Sequence, residues 1–375
     1  MNWAYLPIMF GLAFFYTKIS FYESSEKVYQ EKFINSSARS PSSVIGKVQI
    51  VTPVKNIPTS DLYRGLNDES FTVPFKAVLA FRGTVVGNPY VENFGFVVDD
   101  KSHSLFSIIN FPDVSVGAYM HDVFSHLISA KSYDKKISWI HYFDAYKAGL
   151  QGEPHIYSYY VQKGLEDAIW ETQKAYEESI DRDAPFEFMA SKNTNHLEKS
   201  QKNIIALGLK KNFSKIRIWD LRKQNAKTRT FQVLARVRPQ DKIQWMELYE
   251  SSFSDYDQAF NKEAKSISFE KRFELLRNDI FDGRLDKSLH SVLIDEKFFT
   301  LKFSDHFSSR LLMGKIPADD YMDIVFDEAY ALGRIHKRSL GEKSDKYIKA
   351  WAALSGAVID EKIVELKYRL KDPQD

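Results

Sequence analysis

Two kinds of apolar period occur in separate blocks along this chain, and that ordering limits the folds open to it. Short runs rich in Val, Ile and Phe, bounded by Gly, Pro, Asp or Asn, recur at residues 44–51, 77–86, 94–99 and 105–110 and predict β-strands. Near residue 118 the period changes, and apolar residues three and four apart predict helices over 120–130, 137–150 and 156–176. A second strand-forming section follows at 215–221, 230–237, 291–294 and 298–303, with a charged helical stretch, 255–281, set inside it. Two amphipathic helices, 321–339 and 347–370, come last. Blocks of strands and helices without regular βαβ alternation predict an α+β fold, not a doubly wound sheet.

Composition narrows the function classes. Aromatic residues make up 14% of the 375 positions, including 28 Phe and 20 Tyr, which excludes disorder for the bulk of the chain. Lys and Arg total 52 against 50 Asp and Glu, so the charge excess that drives phosphate-backbone binding is missing and no nucleic-acid partner is expected. Without cysteine there are no disulfides, thiol nucleophiles or cysteine-based metal sites. The nine histidines are scattered; His121, His126 and His141 read as packed histidines on helices, and no structural metal is expected.

The N-terminus has its own character. Trp3 to Tyr16 form an almost unbroken apolar run, interrupted at Lys18 and partly resumed by Ile19, Phe21 and Tyr22. Residues 1–22 read as a signal-like or anchor segment, although no Lys or Arg precedes the run, no A-x-A cleavage site follows, and it is shorter than the ~20 residues of a standard span. A buried N-terminal helix is the alternative. Residues 23–43, with the small polar stretch Asn35 to Ser43, read as a tether, and 44–375 as a single domain. The expected location is exported (periplasmic) or membrane-anchored, with a possible membrane association through this segment; the alternative is cytoplasmic.

The most informative motif lies between two predicted strands. Gly87-Asn88-Pro89-Tyr90-Val91-Glu92-Asn93-Phe94-Gly95 is followed by Phe106-Ser107-Ile108-Ile109-Asn110-Phe111-Pro112-Asp113 and by Asp122-Val123-Phe124-Ser125-His126-Leu127-Ile128-Ser129. Near the C-terminus stands Gly333-Arg334-Ile335-His336-Lys337-Arg338-Ser339. In order and spacing these segments resemble the bacterial domain-of-unknown-function 2252 family, with its pattern G-D-x-H-x-x-N-F-G, D-x-N-D-F-D-E, W-D-x-x-R-L-x-x-S and A-H-A-R-S. The likeness covers about residues 75–150 and 215–340. That family is similar to phosphotransferases of the aminoglycoside and choline kinase type. The resemblance therefore implies a protein-kinase-like two-lobed fold, with a mixed or antiparallel sheet and a helical lobe.

Carried over position by position, the resemblance makes Asn93 the metal-binding asparagine and Asp122 the aspartate that steadies the loop, with Gly87, Gly95 and His336 as structural support. It also makes Asn88 stand for the catalytic aspartate, Tyr90 for the histidine, Asn110 for a magnesium-ligating aspartate, Pro112 for a further aspartate and Ser125 for an arginine. Magnesium favours carboxylate and phosphate oxygens, so amides at 88 and 110 make a poor site for it. An asparagine also cannot accept the proton a general base must take, a loss of roughly 10²–10⁴ in rate. Glu92 and Asp113 are the neighbouring carboxylates able to substitute. The phosphate-binding lysine expected from the resemblance is replaced by Met246, and the glycine-rich turn by Lys223 to Thr228; Lys242 and Lys302 are alternative lysines, read first as surface charges on strands.

Two expectations follow. The leading one is a catalytically degenerate, kinase-like pseudoenzyme that binds an unknown small molecule or protein, with no cofactor assigned to it. The alternative is a phosphotransferase that uses ATP and magnesium on a small hydroxylated substrate, with its carboxylates relocated to Glu92 and Asp113.

Overall fold

The computed structural model describes residues 59–111, 113–179, 195–213, 215–223, 230–237, 243–251, 254–260, 267–303, 307–308 and 316–371. The chain divides into two units, Met1–Ile50 and Val51–Asp375, and all described residues belong to the second. The expected signal-like segment, the tether, the strand at 44–51 and the domain start at Val44 lie outside the described residues, as do Pro112, Lys242 and the turn 224–228.

The observed class is α+β with antiparallel sheets. A first helix, α1 (Thr59–Leu66), leads through short helical turns to β1 (Arg82–Val85), β2 (Phe94–Val98), β3 (Ser104–Ile108) and β4 (Ser115–Ala118). Strands β1 and β4 pair with each other, and β2 pairs with β3 in the register Phe94↔Ile108 to Val98↔Ser104. Helices α2 (Tyr119–Tyr133), α3 (Trp139–Gln151) and α4 (Tyr159–Ser179) follow. The run 77–86, expected as one strand, is split: Lys76–Leu79 is helical and only Arg82–Val85 is extended.

Next come β5 (Asn195–His196), α5 (Lys199–Asn212), β6 (Ile216–Lys223), β7 (Thr230–Val237), β8 (Ile243–Glu250), α6 (Asp255–Phe260) and α7 (Phe269–Leu275). A π-type turn, Leu276–Ile280, continues α7, so the stretch expected as one charged helix is three pieces. Strands β9 (Leu289–Ile294) and β10 (Lys297–Phe303) complete a six-stranded antiparallel sheet in the order β5-β6-β7-β8-β10-β9. The short β11 (Phe307–Ser308) pairs with β2. Helices α8 (Tyr321–Leu340), α9 (Ser344–Ala352) and α10 (Gly356–Lys371) end the described chain; the last two were expected as one helix, and the break falls at Leu354 and Ser355.

Two apolar cores result. The larger gathers α1–α4, α8–α10 and β1–β4 around side chains such as Phe75, Phe124, Tyr146, Ile335 and Trp351. The smaller lies between α5 and one face of the six-stranded sheet, where Met246, Leu248, Val292 and Leu301 meet Ile205 and Leu209. The other face of that sheet carries a polar row, buried at Arg222, Glu247 and Lys302: Arg222 pairs with Gln232, Gln232 with Glu247 and Glu247 with Lys302, across four neighbouring strands. Among the described residues no helix is long and apolar enough to cross a membrane.

Helices α3 and α8 touch backbone to backbone. A Cβ on Gly333 would lie 2.2 Å from the Tyr146 carbonyl oxygen, and one on Gly149 would lie 2.2 Å from that of Tyr330. Paired glycines are what this close approach requires.

Candidate functional site

The loop that joins β1 to β2 is held on one side by α2. Asp122 accepts the Val86 N–H at 2.6 Å and the Gly87 N–H at 2.9 Å, each on a different carboxylate oxygen. Two turns on, Ser129 Oγ accepts the Val91 N–H at 3.2 Å, and one turn beyond that the Tyr133 hydroxyl donates to Glu92. Positions 122, 126, 129 and 133 recur every three or four residues and therefore form one stripe of the helix. Gly87 has φ +86°, and a Cβ there would sit 2.4 Å from the Asp113 carbonyl oxygen, so both conformation and space demand glycine. Gly95, in β2, pairs with Ser107.

Asp122 is itself buried, at 1% exposure, and receives a third contact from His336 Nε2 at 3.0 Å. The other ring nitrogen of His336 meets the Tyr146 hydroxyl at 2.6 Å. Helix α8 thus holds the aspartate that holds the loop. A second buried contact joins the same two helices: His126 Nε2 lies 2.9 Å from Glu328 Oε2, and its Nδ1 lies 2.8 Å from the Tyr142 hydroxyl. Burial pushes His126 down to about 3 and raises the Glu328 carboxyl well above its usual range, so both groups favour their neutral forms. His121 bonds the Tyr256 hydroxyl at 2.7 Å and stacks on Phe260, while His141 is exposed beside its helix-capping Ser138.

The three asparagines singled out in the sequence are brought together. Asn93 Nδ2 donates to the Asn88 carbonyl at 2.7 Å, and Asn93 Oδ1 accepts from Asn110 Nδ2 at 3.1 Å. The Asn93 carbonyl also accepts the Ile109 N–H at 2.8 Å, tying the loop to the end of β3. Tyr90 is half-buried against the larger core, and its carbonyl accepts the Asn93 N–H. Both polar ends of the Asn93 side chain are thereby committed to neighbouring amides.

The two carboxylates named as substitutes are engaged elsewhere. Asp113 is 5% exposed; its Oδ1 accepts the Asp255 N–H at 2.8 Å and its carbonyl accepts from Ser254 Oγ, so it anchors the start of α6. Burial, with Asp255 adding, pushes its carboxyl up to about 7. Glu92 is exposed and bonded to Tyr133. A cluster of amides beside a carboxyl that tends to keep its proton does not fit magnesium, which needs anionic oxygens to offset its dehydration. Among the described residues no group of three His, Asp or Glu side chains is placed to hold a metal.

Lys302 departs from its first reading as a surface charge. It is 7% exposed, its Nζ lies 2.9 Å from Glu247 Oε2, and it stands over the rings of Tyr249 and Phe307. Met246 is fully buried and points to the opposite face, toward α5. The Tyr249 ring lies 6.2 Å from that of Phe111, the residue after Asn110, so the polar face of the sheet looks toward the end of the amide cluster. Comparison with protein-family models, with curated proteins and with solved structures finds no match.

Proposed function

We propose that this chain is a divergent member of the domain-of-unknown-function 2252 family, with a protein-kinase-like two-lobed fold, that acts by binding a small molecule or protein and not by phosphoryl transfer. The observation that carries this reading is the state of the loop. Its backbone is clamped by Asp122 and His336, while its functional positions hold asparagines, with the Asn93 side chain bonded to the Asn88 main-chain carbonyl and to the Asn110 amide. Architecture of this kind preserves a surface; it does not supply a proton acceptor or a charged metal ligand. The two-lobed part of the proposal is supported by the separate cores, and by a three-strand meander, a helical segment and a return hairpin in sequence. Export or membrane tethering through residues 1–22 belongs to the same proposal and rests on their apolar run.

One observation favours the second reading, an ATP-dependent phosphotransferase. Kinases pair a strand lysine with a glutamate beneath the nucleotide phosphates, and Lys302 with Glu247 is a buried pair of that chemistry on the face turned toward Asn110. The two readings separate in one titration. Calorimetry with ATP and magnesium should give no magnesium-dependent heat, and hydrolysis should stay at background. Turnover by the wild-type protein that is lost in Lys302→Met or Glu92→Gln would establish the phosphotransferase instead. With Asn88→Asp and Asn110→Asp combined, magnesium binding should strengthen by more than the two single changes multiply to, because two carboxylates on one cation are coupled.

A further inference from the structure

A cavity of about 200 Å³ lies between β3, α4, α8 and the turn after the π-type segment. Three guanidinium groups line it: Arg334 and Arg338, one turn apart on α8, and Arg284 from the turn. Ser104, Ser107 and Tyr157 add polar groups, and Phe106 and Phe281 form apolar wall. The cavity shares no residue with the amide loop.

The arginines are only partly neutralised. Arg338 Nη1 is fixed by the carbonyls of Asp279 and Ile280, at 2.7 and 2.9 Å, which orients its remaining N–H groups without cancelling its charge. Asp282 lies 3.8 Å from Arg338 Nε and 3.9 Å from Arg284 Nε, beyond hydrogen-bond distance of both. Asp99 is 4.0 Å from Arg284 and already accepts the N–H groups of Lys101 and His103, each at 2.8 Å. Asp279, which also pulls on Arg338, has its carboxylate bonded to Thr84. Arg334 is exposed and has no carboxylate partner among the described residues. Burial, with Arg334 and Arg284 adding, holds the Arg338 guanidinium below its usual range against the pull of Asp282.

Holding three cations around one void costs repulsion that nothing in the larger core requires. Forked donors at several angles match an oxyanion with several equivalent acceptors, which is the geometry of phosphate more than of a single carboxylate. A void of about 200 Å³ has room for a phosphoryl group among these donors.

We propose that Arg284, Arg334 and Arg338 form a binding site for a phosphoryl dianion, either free phosphate or a small phosphomonoester. The inference goes beyond the reading of the loop and does not depend on it. The test is calorimetric titration of the full chain with inorganic phosphate and with glycerol 3-phosphate at constant ionic strength, with acetate as the carboxylate control. Phosphate or its ester should bind more tightly than acetate and should raise the melting temperature. Arg334→Ala should weaken that binding about tenfold or more while the ligand-free protein melts as before, since it removes charge-assisted hydrogen bonds to the ligand. Arg334→Lys should recover part of the loss, because it restores charge without the fork. Equal binding of the two probes assigns the site to free phosphate, and tighter binding of the ester assigns it to a phosphomonoester. Absence of phosphate and ester binding, affinity unchanged in Arg334→Ala, or acetate binding as tightly as phosphate would each overturn the proposal. Arg338→Ala is the weaker probe, because Arg338 also holds the π-type turn.

Discussion

The amide loop and the arginine pocket are served by different faces of one helix, α8, and they treat charge in opposite ways. His336 points inward to Asp122, and that charge is buried, bonded on both oxygens and used to fix backbone. Arg334 and Arg338, two positions either side, present charge to a cavity and are held apart more than they are paired. The loop therefore resembles a finished structural joint, whereas the pocket keeps electrostatic capacity in reserve. If the contrast is real, substitutions at the first should damage the fold and substitutions at the second should not.

The largest effect is expected at Asp122. Asp122→Ala removes one partner of a buried pair and leaves two loop N–H groups without their acceptor, so chemical denaturation should show a loss of about 3–5 kcal/mol. A loss below about 1 kcal/mol would mean the loop stands without its clamp.

Asp113 gives a pH-dependent effect of somewhat smaller size. Its carboxyl is raised from an unfolded value of ~3.9 to about 7, so between those values the folded state binds more protons than the unfolded state. Unfolding free energy should therefore fall as pH rises from about 4 to about 7, by at most about 4 kcal/mol from this group. In Asp113→Asn, which keeps the acceptor for the Asp255 N–H, that component of the slope should vanish from melts across the same range.

Gly333→Ala should cost about 1–3 kcal/mol by forcing α3 and α8 apart, read as a lowered denaturation midpoint. The smallest change belongs to the pocket: Arg334→Ala should shift stability by no more than about 0.5 kcal/mol. A large loss there would make Arg334 a structural residue and dissolve the comparison.

Much of this was legible in the residues. Most strands and helices followed from periodicity, although β8, between β7 and β10 in the larger sheet, was not among them; the neighbourhood of Asn88, Asn93 and Asn110 was approached through motif spacing, because glycines and asparagines at a tight loop leave a recognisable string. Ser129 stood in the motif without a role and Tyr133 was missed, although their spacing from Asp122 places both on its stripe of α2. Lys302 misled for a physical reason. Alternation in β10 marks one face as outward, but this sheet is covered on both faces, so an apparently outward lysine is buried against Glu247. Asp113 could not be seen as an anchor for α6, since its partners at 254 and 255 are remote in sequence. Helix α5 and the four-residue β4 carry too little periodic apolar signal to stand out, and α1, although amphipathic, is only eight residues long.

The glycine crossing of α3 and α8 has a consequence for how the chain reaches this state. The two helices lie on opposite sides of the six-stranded sheet in chain order, so the N-terminal half of the larger core waits for a partner synthesised only after that sheet. During elongation the face of α3 around Gly149 and the Asp122 side chain remain uncovered until residues 321–340 leave the ribosome, because chains emerge N-terminus first. Such a nascent chain depends on a late, long-range closure, which slows folding and exposes apolar surface meanwhile. A chain truncated before Tyr321 should therefore aggregate and not settle into a smaller folded domain, even though it retains every residue of the loop.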